Sequence, residues 1–110
     1  MSDLTSKHCI PCEGDVPPFT RPQAETYLPQ VSGWELSPDA RSISRKFKLK
    51  NFKAALVFVN QIGEIAEAEG HHPDISFGWG YVHIKLSTHA ITGLSENDFI
   101  LAAKINQIRN

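Results

Sequence analysis

Long apolar runs are missing from this 110-residue chain: none approaches the ~20 residues of a bilayer-spanning helix, so no membrane association is expected. An excess of one charge is missing as well, with 11 Lys+Arg against 12 Asp+Glu and a formal net charge of −1. A protein whose main task is neutralising phosphates would be clearly basic, and direct nucleic-acid binding is not expected. Cysteine is scarce, two residues in a single Cys9-Ile10-Pro11-Cys12 motif. No second C-x-x-C completes a zinc site, His8 is too close to act as a third ligand, and the motif does not sit between a strand and a helix as a thioredoxin-like pair does. It reads as a small-residue turn in a loose N-terminal arm, and no metal is expected. Residues 1–12 also lack the basic start and apolar block of a secretory signal, which fits a cytoplasmic location.

What is present is the composition of a folded domain, 41% hydrophobic and 21% charged. A chain of this length buries roughly two-thirds of its extended surface, enough for one modest core. Histidine is the exception to an ordinary composition: five in all, four of them at 71, 72, 83 and 89.

Residues 1–19 show no periodicity and read as an irregular arm, with residues 20–110 as the folded domain. A short helix is expected after Thr20, which has capping-box spacing to Gln23. Phe19 is placed to staple onto Ala24, Pro22 suits a first turn, and Pro29 ends the helix. Residues 31–36 read as a strand containing Trp34, and Ser37-Pro38-Asp39-Ala40 as a turn. Residues 42–50 alternate, with Ile43, Phe47 and Leu49 on one face and Ser44, Lys46 and Lys48 on the other. Six of the eleven basic residues fall between Arg41 and Lys53; a solvated strand face with edge-protecting lysines explains them more simply than a nucleic-acid patch.

From Asn51, a suitable N-cap, to Glu69 the period becomes helical. Phe52, Ala55, Leu56, Val59, Ile62, Gly63 and Ala66 form the expected inward stripe, and Gly70 closes the helix. Val57, Phe58 and Ile65 widen the apolar sector, as burial by another subunit would require. Residues 75–77 and 81–88 read as strands around a Gly78-Trp79-Gly80 bend. A last helix begins at Ser95, capped with Asp98, and turns Leu101, Ile105 and Ile108 inward. The order helix, two strands, helix, two strands, helix favours an α+β two-layer fold: a four-stranded antiparallel sheet with three helices packed on one face.

Chemistry concentrates where the long helix ends. His71, His72, Pro73 and Asp74 follow it, and a hairpin between the last two strands brings His89 to the same end of the sheet. Three imidazoles and up to three carboxylates, Glu67, Asp74 and Asp98, then surround one edge. Histidines there can act as general acid and base. Adjacent histidines diverge, so His71 and His72 would rarely bind one ion, and the metal reading carries little weight. Structural explanations compete: a histidine after a helix C-terminus favours the dipole, Pro73 ends a helix, and the capping box accounts fully for Asp98. His83 alternates onto the Lys85 face and reads as solvated.

The pattern Glu67-x3-His71-His72-Pro73, five residues to Trp79, nine more to His89 and eight more to Asp98 resembles that of the pterin-4a-carbinolamine dehydratases. The flanking Gly70 to Ile75, Val82 to His89, Gly93-Leu94-Ser95 and Gly33-Trp34 extend the resemblance over residues 20–108. One departure is Ile75, aliphatic where some members carry an aromatic. The resemblance implies the fold read above and homodimers or homotetramers built through sheet edges and helix packing. It also implies dehydration of 4a-hydroxytetrahydropterin to quinonoid dihydropterin, recycling the pterin cofactor of aromatic amino-acid hydroxylases, which would be its pathway partners. The pterin is then the substrate, and neither metal nor organic cofactor is needed. His71 and His89 become the acid–base pair and His72 orients the ring. Glu67 or Asp98 tunes the imidazoles, Asp74 belongs to the substrate-binding set, and Pro73 and Thr88 shape the backbone that holds the site. A rival is a binding module, since some members of the family are dimerisation cofactors of a transcription factor; such a scaffold would depend little on the histidines.

Overall fold

A computed structural model describes residues 4–9 and 17–108 of the chain. Helix α1 (Arg21–Tyr27) starts as its sequence dictates: the Thr20 hydroxyl accepts from the Gln23 backbone while the Gln23 side chain accepts from the Thr20 backbone, with Pro22 in the first turn. Phe19 stacks its ring near Tyr27 and Phe99, at centroid separations of 5.0 and 6.0 Å. A 3-10 turn, Leu28–Gln30, carries Pro29 and ends the helical stretch.

Strand β1 is Glu35–Leu36, shorter than the expected residues 31–36. Gly33 takes φ +86°, which breaks extended geometry just before it, and a Cβ there would collide with the Arg45 guanidinium. Trp34 is nonetheless buried, its indole N–H donating to Asn106 Oδ1 at 2.9 Å and its ring edge-on to Phe47. Strand β2 (Ile43–Lys48) is followed by helix α2 (Phe52–Glu69), strands β3 (Asp74–Gly78) and β4 (Tyr81–Leu86), and helix α3 (Glu96–Asn106). The sheet order is β1-β2-β4-β3, antiparallel throughout. This is the α+β arrangement expected, with a four-stranded antiparallel sheet and three helices. Lys46 and Lys48 do not guard an outer strand, because β2 is internal. Only Ile43 and Ser44 have partners on β1, however, so the second half of β2 is uncovered on that side.

One face of the sheet is apolar, with Ile43, Phe47, Val82, Ile84 and Leu86 buried. The other carries Ser44, Lys46, Lys48, Tyr81, His83 and Lys85, and the register sets His83 opposite Lys46 and Ser76. Helix α2 packs on the apolar face through Ala55, Phe58, Ile62 and Ala66. That stripe is rotated from the expected one. Phe58 lies at the centre of the core, its ring 4.8 Å from that of Phe47, and Ile65 packs against the core's edge. Phe52, Leu56 and Val57 point outward, at 48, 41 and 49% exposure. Helix α3 is buried nearly all round, from Asn97 to Ala103 and at Ile105, rather than along one stripe; Ile108 lies beyond its end.

The enclosing layer on α3 comes from residues expected to be loose. Leu4–Ser6 form a 3-10 turn on α3, with Leu4 buried in the core. Of the Cys9–Cys12 motif, Cys12 lies outside the described residues, as does most of the expected arm. Among the described residues, no helix is long and apolar enough to cross a membrane.

Candidate functional site

The site begins where α2 ends. Asn51 caps the start of this helix through the Ala54 N–H, and Gly70 ends it in the left-handed conformation, φ +67°. The His71 backbone N–H still reaches back to the Ala66 carbonyl at 3.3 Å, holding the exit of the chain close to the last turn. His71 and His72 then diverge as consecutive residues do. The His71 side chain turns inward and retains 12% exposure; that of His72 turns outward and retains 59%.

His71 Nε2 donates to Asp98 Oδ1 at 2.6 Å. Asp98 is the third residue of α3 and is fully buried. Its second oxygen, Oδ2, accepts from the Thr88 hydroxyl at 2.9 Å and from the Ser95 backbone N–H at 3.0 Å. Thr88 Oγ1 and Ser95 Oγ are also bonded to each other at 2.8 Å. The capping box therefore explains half of Asp98: one oxygen closes the helix start, the other holds an imidazole. A carboxylate only accepts, so the proton lies on Nε2 and a neutral His71 keeps its lone pair on Nδ1.

The remaining predicted residues arrange themselves around this pair. Thr88 is buried and forms an isolated bridge with Gly93, its N–H donating to the Gly93 carbonyl at 2.7 Å. Between them His89–Ile91 make a 3-10 turn that ends at Thr92 with φ +50°, a strained value for a β-branched residue. A Cβ on Gly93 would meet Pro18, so this tight loop is braced from outside. The structure thus carries His89 on a closed, stiff loop next to the Thr88–Asp98–His71 chain, with the His89 side chain exposed. His72 Nε2 is bonded to Glu67 Oε2 one turn back on α2, both side chains in solvent. Pro73 leads into β3. Asp74 stands on the sheet's polar face opposite Lys85, and no hydrogen bond joins it to the histidines among the described residues.

Three further groups, of which sequence spacing singled out only Cys9, surround the same helix ends. Glu69, the last residue of α2, is nearly buried, at 7% side-chain exposure. Burial pushes its carboxyl upward, yet the Cys9 N–H, His8 and Lys104 together hold it below the ordinary carboxylate range. Cys9 donates its thiol to the Asn97 carbonyl at 3.5 Å. Burial, with the charges of Glu69 and Asp98, raises that thiol to about 12. Lys7 pairs with Glu96 at 2.9 Å, which lowers the Glu96 carboxyl against the opposing effect of burial, and Tyr27 adds a hydrogen bond. The contacts that Lys7 and Cys9 make with α2 and α3 span 60 to 89 residues of sequence, too far for local pattern to reveal. Among the described residues, no three His, Cys, Asp or Glu side chains converge as a metal cage would require.

Comparison with known proteins identifies the family to which the fold belongs. A relative from Halorhodospira halophila, named for pterin-4-alpha-carbinolamine dehydratase, is 56% identical over 96% of both chains. Another from Methylococcus capsulatus, named for the same activity, is 50% identical over 96% of this chain and 92% of its own. Among solved structures, a transcriptional coactivator/pterin dehydratase from Brucella melitensis superposes with a TM-score of 0.76. It is 31% identical, and the match covers 81% of this chain and 95% of that one. A pterin dehydratase-like RuBisCO assembly factor of the alpha-carboxysome shares the fold, with a TM-score of 0.59 at 24% identity, covering 67% of this chain and 86% of that one. The profile of one family, Pterin 4 alpha carbinolamine dehydratase, matches residues 17–108. The chain belongs to that family and is an enzyme of its class, a hydro-lyase.

Proposed function

We propose that the chain dehydrates 4a-hydroxytetrahydropterin to quinonoid dihydropterin by histidine acid–base chemistry, with His71 and His89 as the pair. The observation that carries this reading is the buried Asp98 bonded to His71 Nε2, which leaves Nδ1 free to take a proton. In the reaction the C4a–O bond breaks as the N5 lone pair forms the new double bond. The oxygen gains one proton and leaves as water, while a ring nitrogen loses one, so acid and base exchange protons with no net change. His71 is the base: the fixed negative charge of Asp98 stabilises the imidazolium it becomes. His89, on its exposed loop, supplies the proton to the leaving hydroxyl. His72, oriented by Glu67, hydrogen-bonds the pterin ring. Pro73 and Thr88 fix the backbone on either side, and Asp74 belongs to the substrate-binding set. No metal or organic cofactor enters the scheme. The role in the cell is return of the pterin cofactor to aromatic amino-acid hydroxylases.

The test uses freshly generated carbinolamine and chelator-treated protein. His71→Ala and His89→Ala each lower kcat by about 10²-fold or more, in the range of general acid–base contributions. Full activity in both variants overturns the assignment.

A specific observation also favours self-association. Val57 leaves an apolar, open position on α2, and a groove of about 420 Å³ lies beside it between α2 and the end of β2, with Ala54 and Phe58 in its lining. A second copy of the chain covering this face is proposed. Val57→Asp is expected to lower the mass measured by light scattering to that of a smaller assembly; an unchanged mass removes this face from the interface.

A further inference from the structure

We propose that Glu69 is a positioning residue. It clips the segment Leu4 to Cys9 across the ends of α2 and α3 and so sets the His71–Asp98 contact. This rests on the reading of His71 as the base.

Two helix ends have to stay in fixed relation for that contact to exist: the end of α2, which delivers His71, and the first turn of α3, which delivers Asp98. The segment from Leu4 to Cys9 is bonded to both. On α3, Lys7 pairs with Glu96 and the Cys9 thiol donates to the Asn97 carbonyl, the two residues just before Asp98. On α2, Glu69 accepts from the Cys9 backbone N–H at 2.7 Å and from His8 Nδ1 at 3.0 Å, two residues before His71. Lys104 of α3 closes the circuit, 3.6 Å from Glu69 and donating to the Thr5 carbonyl at 2.9 Å. Leu4, buried in the core, anchors the far end.

The choice of residue argues for this role. A carboxylate at the C-terminus of a helix opposes the helix dipole, and burial adds to its cost; lysine would be the stabilising choice for α2 alone. Glu69 is accounted for by what it holds, since one oxygen takes the backbone N–H of Cys9 and the other gathers His8 and Lys104. A sub-ångström drift of the two helix ends would lengthen a 2.6 Å bond and release the imidazole orientation. Misplacement of about 1 Å costs up to ~10²-fold in rate.

The experiment compares Glu69→Ala, Glu69→Gln, Lys7→Ala and His71→Ala in the full chain. Each is assayed below its melting temperature, and the His71 ring is observed by 15N–1H NMR in the wild type and in the Glu69 and Lys7 variants. Glu69→Ala is expected to lower kcat about 10-fold with KM within about twofold, and to broaden or move the His71 Nε2–H signal. Glu69→Gln, which still accepts from Cys9, restores most of the rate. Should Glu69→Ala not fold, Lys7→Ala loosens the other end of the clamp at a half-buried pair and lowers kcat about threefold with the same change at His71. An unchanged kcat and an unmoved His71 signal in the folded variants overturn the proposal, as does an equal loss in Glu69→Gln and Glu69→Ala. An active His71→Ala instead overturns the assignment of the base, separately from Glu69.

Discussion

The two oxygens of Asp98 serve different neighbours, and this division decides what a substitution there does. Asp98→Asn keeps the shape but replaces one acceptor by a donor. The amide N–H2 can then face His71 only if the imidazole reverses its tautomer, which removes the lone pair from Nδ1. A loss of kcat of about 10²–10⁴-fold is expected, with a much smaller change in KM. The same substitution weakens the bonds from Thr88 and Ser95 and costs about 1–3 kcal/mol of stability by denaturant titration. Much of this candidate site is legible along the chain: His71, His72, His89 and Asp98 stand out by type and spacing, and Thr88 enters through the family resemblance. What spacing does not convey is direction. Gly70 leaves α2 in the left-handed region, and only the resulting turn decides that His71 faces Asp98 while His72 meets Glu67 in solvent.

Helix α2 shows how far periodicity reaches at the scale of an element. Its existence, its Asn51 cap and its Gly70 stop follow from the sequence, but the inward face does not. With eleven apolar residues spread round the helix, two neighbouring stripes fit the period, and the large Phe58 selects one by filling the space above Phe47. Phe58→Ala is expected to cost about 3–5 kcal/mol in denaturant unfolding. Gly63 on the same helix has open space where a Cβ would stand, so Gly63→Ala removes backbone freedom from the unfolded chain without a clash. A gain of about 0.5–1 kcal/mol is expected from the same measurement. Helix α3 departs from its expected single stripe for a different reason. It is packed by the sheet side, by α2 and by the turn at Leu4–Ser6, and a neighbour ninety residues away leaves no mark on local pattern.

For the whole molecule, acid exposes the importance of the long-range ion pairs. Glu69 and Glu96 are both held below the ordinary carboxylate range in the folded chain. Their stabilising effect is complete above the unfolded value, about 4.3, and disappears as pH falls through the lower folded values. The melting temperature is therefore expected to drop steeply below about pH 4.5, and a Glu69→Gln/Glu96→Gln double variant to show a shallower drop. The segment that these pairs hold has a further consequence for the order of assembly. Lys7 and Glu96 are 89 positions apart, and Thr5 and Lys104 are 99 apart. On the ribosome, residues 4–9 emerge long before the helix they rest on has been made, so Leu4 has no surface to bury against during most of synthesis. A stretch translated early is among the last to find its place, and the geometry around His71 is completed only once α3 has been made.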